Sequence, residues 1–166
     1  MPMSDELWMG YSEGEDFNRY KTSRTNKAAI DWLQEQFPQA KIRAFELSKS
    51  DTDPFTNALH LDCCICPLSK GHAIFHPQGM KNPEDISWIR KKYQGKLMEV
   101  NADDMYNMHC NIFSISPTTI VSETGFTAVN AQLRDWGYTV IETSFQETGK
   151  LEGLLRCSTL PLLREK

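Results

Sequence analysis

The stretch ALHLDCCICPLSKGHAIFHPQG, residues 58–79, contains three cysteines, three histidines and one aspartate. Its apolar runs HLDCCIC and AIFH are typical of strands, and PLSKG between them has the composition of a tight turn. Strand alternation would place Cys63 in the core and His60 and Asp62 on the opposite, polar face. The stretch therefore predicts a hairpin whose polar row suits either a metal site or one wall of an active site.

The same order of elements, strand, strand, helix, strand, repeats along the chain at intervals of roughly 45–60 residues. Apolar residues at helical spacing predict helices over 30–37, 86–93 and 129–136. The strands predicted before these helices are LWMGY, AIFH and TTIV, and those after them are KIRAFEL, KLMEV and YTVIET. HLDCCIC and NIFSI are the leading strands of the second and third units.

The first unit lacks a leading strand, and a fourth unit stops after the predicted strand LLRCSTLPL. The sequence thus predicts an α/β fold of two whole and two partial ββαβ units. This is the pattern expected of a chain cut from a larger cyclic array. Stacked repeats bury their faces against neighbours, so we expect the cut ends to be covered by another surface.

Composition excludes several classes of protein. The 166 residues are 40% hydrophobic, enough for one domain with a core, and the net charge of −4 argues against a nucleic-acid partner. No apolar run reaches the ~18 residues that span a bilayer, and the first residues do not resemble a signal peptide. Five cysteines, three of them clustered, make a poor disulfide framework and predict a reducing, cytoplasmic location.

A closed zinc site is the first alternative for the polar row. Cys64 and Cys66 would share a face with His60 and Asp62, but the second ligand pair that structural zinc sites normally require is missing. His72 and His76 have helical spacing, yet Gly71 and Pro77 predict a strand there. We therefore expect no metal, and the cysteines fit better as small buried apolar residues.

A nucleophile is available near the end of the chain, in KLEGLLRCSTLPLLRE. Cys157 follows Arg156 and lies close to Gly153, and such cationic and backbone-donor surroundings favour a thiolate. The alternative is an inert structural cysteine. With His60 and Asp62 it forms a Cys/His/Asp set drawn from distant segments, as nucleophilic catalysis requires.

Four motifs carry a resemblance to a known family: SRTN at the first helix, HLDCCICPL, NIFSISP and GLLRCSTLPL. Over nearly the whole chain they resemble the guanidino-group-modifying, or pentein, superfamily of amidinotransferases, arginine deiminases and dimethylarginine dimethylaminohydrolases. The resemblance implies ββαβ units around a pseudo-fivefold axis with the site at the centre. Residues 1–166 would be a single domain, a partial propeller equivalent to the C-terminal three-fifths of such an enzyme.

The resemblance also implies roles for individual residues. Cys157 would be the nucleophile that attacks the guanidinium carbon, His60 the general acid and base, and Asp62 a carboxylate that binds guanidinium nitrogens. Arg24 would bind a substrate carboxylate, with a solvated residue at a helix start as the alternative. Asn111 is expected to satisfy backbone groups at a strand start. Neither a metal nor a cofactor is implied, and the ligand would be a small guanidino compound.

The chain departs from the family pattern in one respect. The acids that complete the family's guanidinium-binding site would lie upstream of LWMGY, and Glu13, Glu15 and Asp16 do not obviously replace them. Two hypotheses therefore stay open: a guanidino-modifying hydrolase or transferase, incomplete alone, and a non-catalytic binding or assembly module. A symmetric homodimer, or a complementary N-terminal chain, would cover the cut edge.

Overall fold

The computed structural model describes residues 6–160 and residue 162. Its architecture is mixed α/β, with short strands in small separate sheets joined by helices. The strands are β1 Leu7–Tyr11, β2 Ile42–Glu46, β3 Ile65–Pro67, β4 Ala73–Phe75, β5 Leu97–Glu99, β6 Phe113–Ser114, β7 Thr119–Glu123 and β8 Thr139–Thr143. The α-helices are α1 Gly14–Arg19, α2 Lys27–Gln36, α3 Leu61–Cys64, α4 Pro83–Lys92, α5 Ala102–Tyr106, α6 Thr127–Asp135 and α7 Gln146–Gly149.

Sheet topology follows the predicted repeat. In the second sheet β3 pairs antiparallel with β4, which pairs parallel with β5 beyond helix α4. The third sheet has the same arrangement, with β6, β7, α6 and β8 in those positions. In the first sheet β1 pairs parallel with β2, with α2 between them in sequence. The two whole ββαβ units and the shortened first unit are therefore present in the structure.

The predicted helices form because each turns one apolar stripe towards the sheets. Ile89 in α4 and Leu133 in α6 are fully buried, and Ile30 is the buried residue of α2. Pro83 stands in the first turn of α4, where its missing N–H costs nothing, and Glu84 and Asp85 follow it at the positive end of the helix. Each buried aliphatic side chain contributes about 1.5–3 kcal/mol.

The first two units join through an aromatic cluster. Trp8 on β1 is fully buried and meets Phe45 edge-to-face at 5.4 Å and Trp88 at 5.6 Å, measured between ring centroids. The Arg43 guanidinium covers the Trp88 ring at 3.7 Å. Since Trp88 belongs to α4 and Trp8 to β1, this cluster packs the second unit against the first.

The prediction of a strand over HLDCCIC was wrong in its first half. Residues Leu61–Cys64 form the short helix α3, and only the end of the run enters β3. The alternation argument fails with it, because Cys63, Cys64 and Cys66 are all buried instead of pointing to opposite faces. A strand cannot bury adjacent side chains on one face, whereas a helical turn surrounded by the core can.

The strand predicted at LLRCSTLPL was also wrong. Residues 154–160 form turns and irregular backbone, and position 162 is not in a strand; residue 161 lies outside the described residues. Short helices that the sequence did not predict occur in the connections, at α1, α5 and α7. Among the described residues, no helix is long and apolar enough to cross a bilayer.

Candidate functional site

A cleft of about 360 Å³ opens beside β1. Three of the four residues that the sequence analysis assigned to the site, Arg24, His60 and Asp62, line it, and Cys157 does not. The complete lining consists of residues 8–12, 24–25, 47, 49, 59–62 and 156. The structure therefore brings His60 and Asp62 together with Arg24 in one concave surface, although Arg24 lies far from them in sequence.

Lys49 fixes the stretch 58–66, called here the His60 segment. Its ammonium nitrogen donates to the carbonyl oxygens of Ala58 at 2.7 Å and Leu59 at 2.8 Å, and to that of Thr22 at 3.3 Å. Burial lowers the pKa of Lys49. The bonds join the backbone just before His60 to the segment that carries Arg24.

Asp62 holds a guanidinium that belongs to the protein itself. The Arg156 Nε lies 3.4 Å from Asp62 Oδ2, with the two side chains 39% and 23% exposed. The sequence analysis placed Arg156 beside Cys157 as a source of positive charge, and the structure directs it to Asp62. In this structure the guanidinium next to Asp62 therefore comes from the chain itself.

Cys157 lies in the stretch 151–160, called here the Cys157 turn, and its side chain is exposed. The neighbouring Arg156 lines the cleft, and Cys157 is not among the lining residues. The turn is bound to Asn111, which is fully buried just before β6. Its Oδ1 accepts from the backbone N–H of Leu154 at 3.1 Å and of Cys157 at 3.2 Å, and its Nδ2 donates to Cys157 Sγ at 3.1 Å.

The other four cysteines differ sharply from Cys157. Cys63, Cys64, Cys66 and Cys110 are buried in the core. Burial raises the pKa of Cys63 and that of Cys66 to about 12, and raises the pKa of Cys64 and Cys110 well above the usual range. These thiols are therefore protonated and shielded at neutral pH. Cys157 is the thiol that remains available for chemistry.

The geometry does not bring a metal-ligand set together. Within residues 6–160 and 162, no group of three or more His, Cys, Asp or Glu side chains could hold a metal ion. His72 stacks on Trp136 with ring centroids 4.4 Å apart, and His76 is buried with Nδ1 bonded to the Val100 carbonyl at 3.1 Å. His72 and His76 therefore each contact different neighbouring residues of the fold.

Sequence reasoning missed Lys49 as a component of the site. Only its position two residues after the KIRAFEL strand could have pointed to it, since the carbonyls that it binds are distant in sequence. Asn111 was expected to satisfy backbone groups at a strand start. It satisfies backbone groups of the Cys157 turn instead, and it also donates to the sulfur.

Comparison with curated proteins gives two informative relatives. The uncharacterised protein YkgA of Bacillus subtilis (strain 168) is 34% identical over 143 residues, which cover 86% of this chain and 46% of YkgA. The bifunctional arginine dihydrolase/ornithine cyclodeaminase AgrE of Nostoc sp. is 27% identical over 101 residues, which cover 61% of this chain and 14% of AgrE. No family model matches the chain.

Solved structures give the same picture. The N-terminal domain of ArgZ, a cyanobacterial arginine dihydrolase, superposes with a TM-score of 0.73 at 23% identity, covering 94% of this chain and 50% of that one. The chain resembles the pentein superfamily in sequence and fold. The amidinotransferase SxtG of Microseira wollei gives a TM-score of 0.71 at 19% identity, covering 98% of this chain and 45% of SxtG. The pentein resemblance predicted from the motifs is confirmed, and the chain spans about half the length of YkgA.

Proposed function

We propose that the chain is the nucleophile-bearing part of a guanidino-modifying pentein enzyme. Residues 1–166 would be a single domain, a partial propeller equivalent to the C-terminal three-fifths of the whole. The observation that carries the proposal is the cleft, in which His60 and Asp62 meet Arg24 and the residue next to the only exposed thiol among the described cysteines. The relatives named as arginine dihydrolase and amidinotransferase support the same class of substrate.

The proposed chemistry has two halves. The Cys157 thiolate attacks the central guanidinium carbon, His60 gives a proton to the departing amine, and the C–N bond breaks to leave an amidino-thioether on the sulfur. His60, now neutral, takes a proton from water or from an acceptor amine as that nucleophile attacks the same carbon. The C–S bond then breaks and the thiolate is restored. Water gives a hydrolase and an amine gives an amidinotransferase.

Substrate binding would use the charges that line the cleft. Asp62 would bind the planar guanidinium, whose nitrogens match a carboxylate in a bidentate arrangement. A substrate guanidinium must displace Arg156 from Asp62. Because this ion pair is partly exposed to solvent, breaking it costs little free energy. Arg24 would bind the carboxylate of an arginine-like substrate at the other side of the cleft. No step requires a cofactor.

A non-catalytic binding or assembly module is the second candidate. Two observations favour it: Asp62 already holds Arg156, and Cys157 is absent from the residues that line the cleft. In such a module the cleft would still bind a guanidino compound, without forming a bond to sulfur. The two candidates therefore differ in covalent reactivity rather than in ligand class.

Assembly would complete the proposed site. Within residues 6–160, the first sheet has two strands where the second and third have three, and we propose that a strand from another chain completes it. We propose a symmetric homodimer as the source, with a complementary N-terminal chain as the alternative. Light scattering that gives only the 19.1 kDa monomer mass at micromolar concentrations would exclude the dimer. The free cysteines support a reducing, cytoplasmic setting.

The deciding experiment is mass spectrometry after incubation with a haloacetamidine, a guanidinium-like inactivator. The proposal predicts one adduct on Cys157, none in Cys157→Ser, and protection by excess arginine. Ser158→Ala, a change at the neighbouring exposed residue, is the matched control and should still be labelled. Absence of any adduct on a protein that binds arginine by calorimetry would favour the non-catalytic module.

A further inference from the structure

The contacts of Asn111 go beyond what holding a turn requires. Oδ1 accepts two backbone N–H bonds, from Leu154 and Cys157, and the Asn111 carbonyl accepts a third, from Arg156 at 3.2 Å. These three bonds already fix the backbone of the turn around the sulfur. The Asn111 Nδ2 donates a further hydrogen bond, to Cys157 Sγ at 3.1 Å.

A bond from an amide N–H to sulfur discriminates between the protonation states of the thiol. The thiolate is a far better acceptor than the thiol, and a hydrogen bond to the charged form favours that form. Asn111 is 0% exposed, so no water competes at the amide, and its carboxamide is neutral, so it adds no charge of its own. The donor is held in place because Oδ1 is bound on both sides.

We propose that Asn111 is a positioning residue for the nucleophile: its Oδ1 holds the Cys157 turn and its Nδ2 stabilises the Cys157 thiolate. The thiolate would thus be supported by a neutral amide donor, while the guanidinium of Arg156, the residue adjacent in sequence, lies against Asp62. The inference rests on the proposed role of Cys157. It assigns the thiolate support to Asn111 instead of to the arginine next to it in sequence.

Two substitutions separate the two functions of the side chain. Asn111→Asp keeps the acceptor for both backbone N–H groups and removes the donor, while it adds a negative charge. Asn111→Ala removes the donor without adding charge, but it leaves both N–H groups without their partner, and we expect a lower melting temperature. Asn130→Asp is the matched control, since Asn130 is also buried and donates to the Glu123 carbonyl, remote from the Cys157 turn in sequence.

The measurement is the rate of iodoacetamide alkylation at Cys157 as a function of pH, read by peptide mass spectrometry on the 166-residue chain. We expect the midpoint of the profile to move up by about one pH unit in Asn111→Ala, which is about a tenfold slower reaction below the midpoint. It should move further in Asn111→Asp, because of the added charge, and stay unchanged in Asn130→Asp. A wild-type midpoint in either folded Asn111 variant overturns the proposal.

A second measurement, by NMR, uses the wild-type protein and therefore still tests the proposal if Asn111→Ala and Asn111→Asp both fail to fold. In ¹⁵N NMR spectra of the wild-type protein, the Asn111 side-chain amide should shift with the same midpoint as alkylation, and the Asn130 amide should not. In Cys157→Ser the Asn111 shift should disappear. An Asn111 amide that does not respond to pH in the wild type overturns the proposal, as does a Cys157 that iodoacetamide never labels.

The tests keep the two proposals apart. Iodoacetamide requires only a thiolate, whereas the haloacetamidine adduct and its protection by arginine also require the guanidinium-binding cleft. If Asn111 controls alkylation and no guanidine-like adduct forms, the role of Asn111 stands and the enzymatic function fails. If the adduct forms and the Asn111 variants leave the pH profile unchanged, the enzymatic function stands and the role of Asn111 fails.

Discussion

The His60 segment and the Cys157 turn carry the two halves of the proposed site, and they are built in opposite ways. The His60 segment is anchored in the core by its own three buried cysteines and by the Lys49 ammonium, which binds two of its carbonyls. The Cys157 turn carries an exposed thiol, the proposed nucleophile, and the buried side chain of Asn111 binds its backbone and its sulfur. The structure thus combines a core-anchored segment, which carries the proposed acid/base residue, with an exposed thiol whose turn is bound by one buried side chain.

The largest expected effect is the contrast in thiol reactivity between these regions. At pH 7 we expect Cys157 to be alkylated at least about 100-fold faster than Cys63, Cys64 or Cys66, since thiols buried in apolar surroundings are inert and the reagent can reach an exposed one. Limited iodoacetamide labelling followed by peptide mapping measures the ratio. Labelling of Cys64 or Cys66 ahead of Cys157 in the folded protein would contradict both the nucleophile assignment and the comparison.

Lys49→Met tests how firmly the His60 segment is held. We expect the free energy of unfolding to fall by about 2–4 kcal/mol, because buried carbonyls of the segment lose their donor. Urea denaturation followed by circular dichroism gives this value. Lys27→Met is the matched control: Lys27 makes only an exposed ion pair with Asp31, and its loss should change stability little. Equal stability of the two variants would show that Lys49 does not anchor the segment.

Acid should weaken the protein through three histidines, of which His76 is buried and His72 and His109 are partly buried. Burial lowers the pKa of His72, His76 and His109 below the value near 6.5 that each has in the unfolded chain. The unfolded chain therefore binds more protons below about pH 6.5, and stability must fall as the pH drops from there. His76 contributes next to the His60 segment, since its backbone N–H donates to the Cys64 carbonyl at 2.7 Å.

His76→Asn isolates one of these contributions. Its amide can still donate to the Val100 carbonyl, and it does not titrate. Between pH 5 and about 6.5, the stability of this variant should depend less on pH than that of the wild type, by up to about 1.4 kcal/mol per pH unit. Denaturation curves at several pH values provide the test. Parallel pH dependence in both proteins would mean that His76 is protonated as readily in the folded state as in the unfolded one.

The smallest expected effect concerns the link between the two regions. Arg156→Met breaks the partly exposed ion pair with Asp62 and should change the free energy of unfolding by no more than about 1 kcal/mol. The same variant should bind arginine more tightly in calorimetry, because Asp62 is no longer occupied by an internal guanidinium. Glu99→Gln, which breaks the exposed pair with Arg90, is the control and should leave arginine binding unchanged. Weaker binding in Arg156→Met would instead make Arg156 part of the ligand site.

Local patterns predicted the repeating part of the fold. Helices α2, α4 and α6 and the strands that follow them were identified because apolar spacing, Pro83 at a helix start and glycines beyond helix ends act over a few residues. The motifs around His60, Asn111 and Cys157 also indicated the superfamily correctly. Arg24, His60 and Asp62 do line one cleft. That the Cys157 side chain reaches the same cleft remains a prediction.

The sequence by itself determined the ββαβ order, the residues able to do chemistry and the class of fold, since these depend on side-chain type and short-range periodicity. Only the tertiary structure decided that LDCC is a helical turn and that LLRCSTLPL does not begin as a strand. The Asn111 side chain binds the backbone N–H groups of Leu154 and Cys157, which the strand predicted at LLRCSTLPL would have paired. Such partners lie up to 46 residues away in sequence, and no local pattern records which of the distant donors or acceptors will reach a given peptide group.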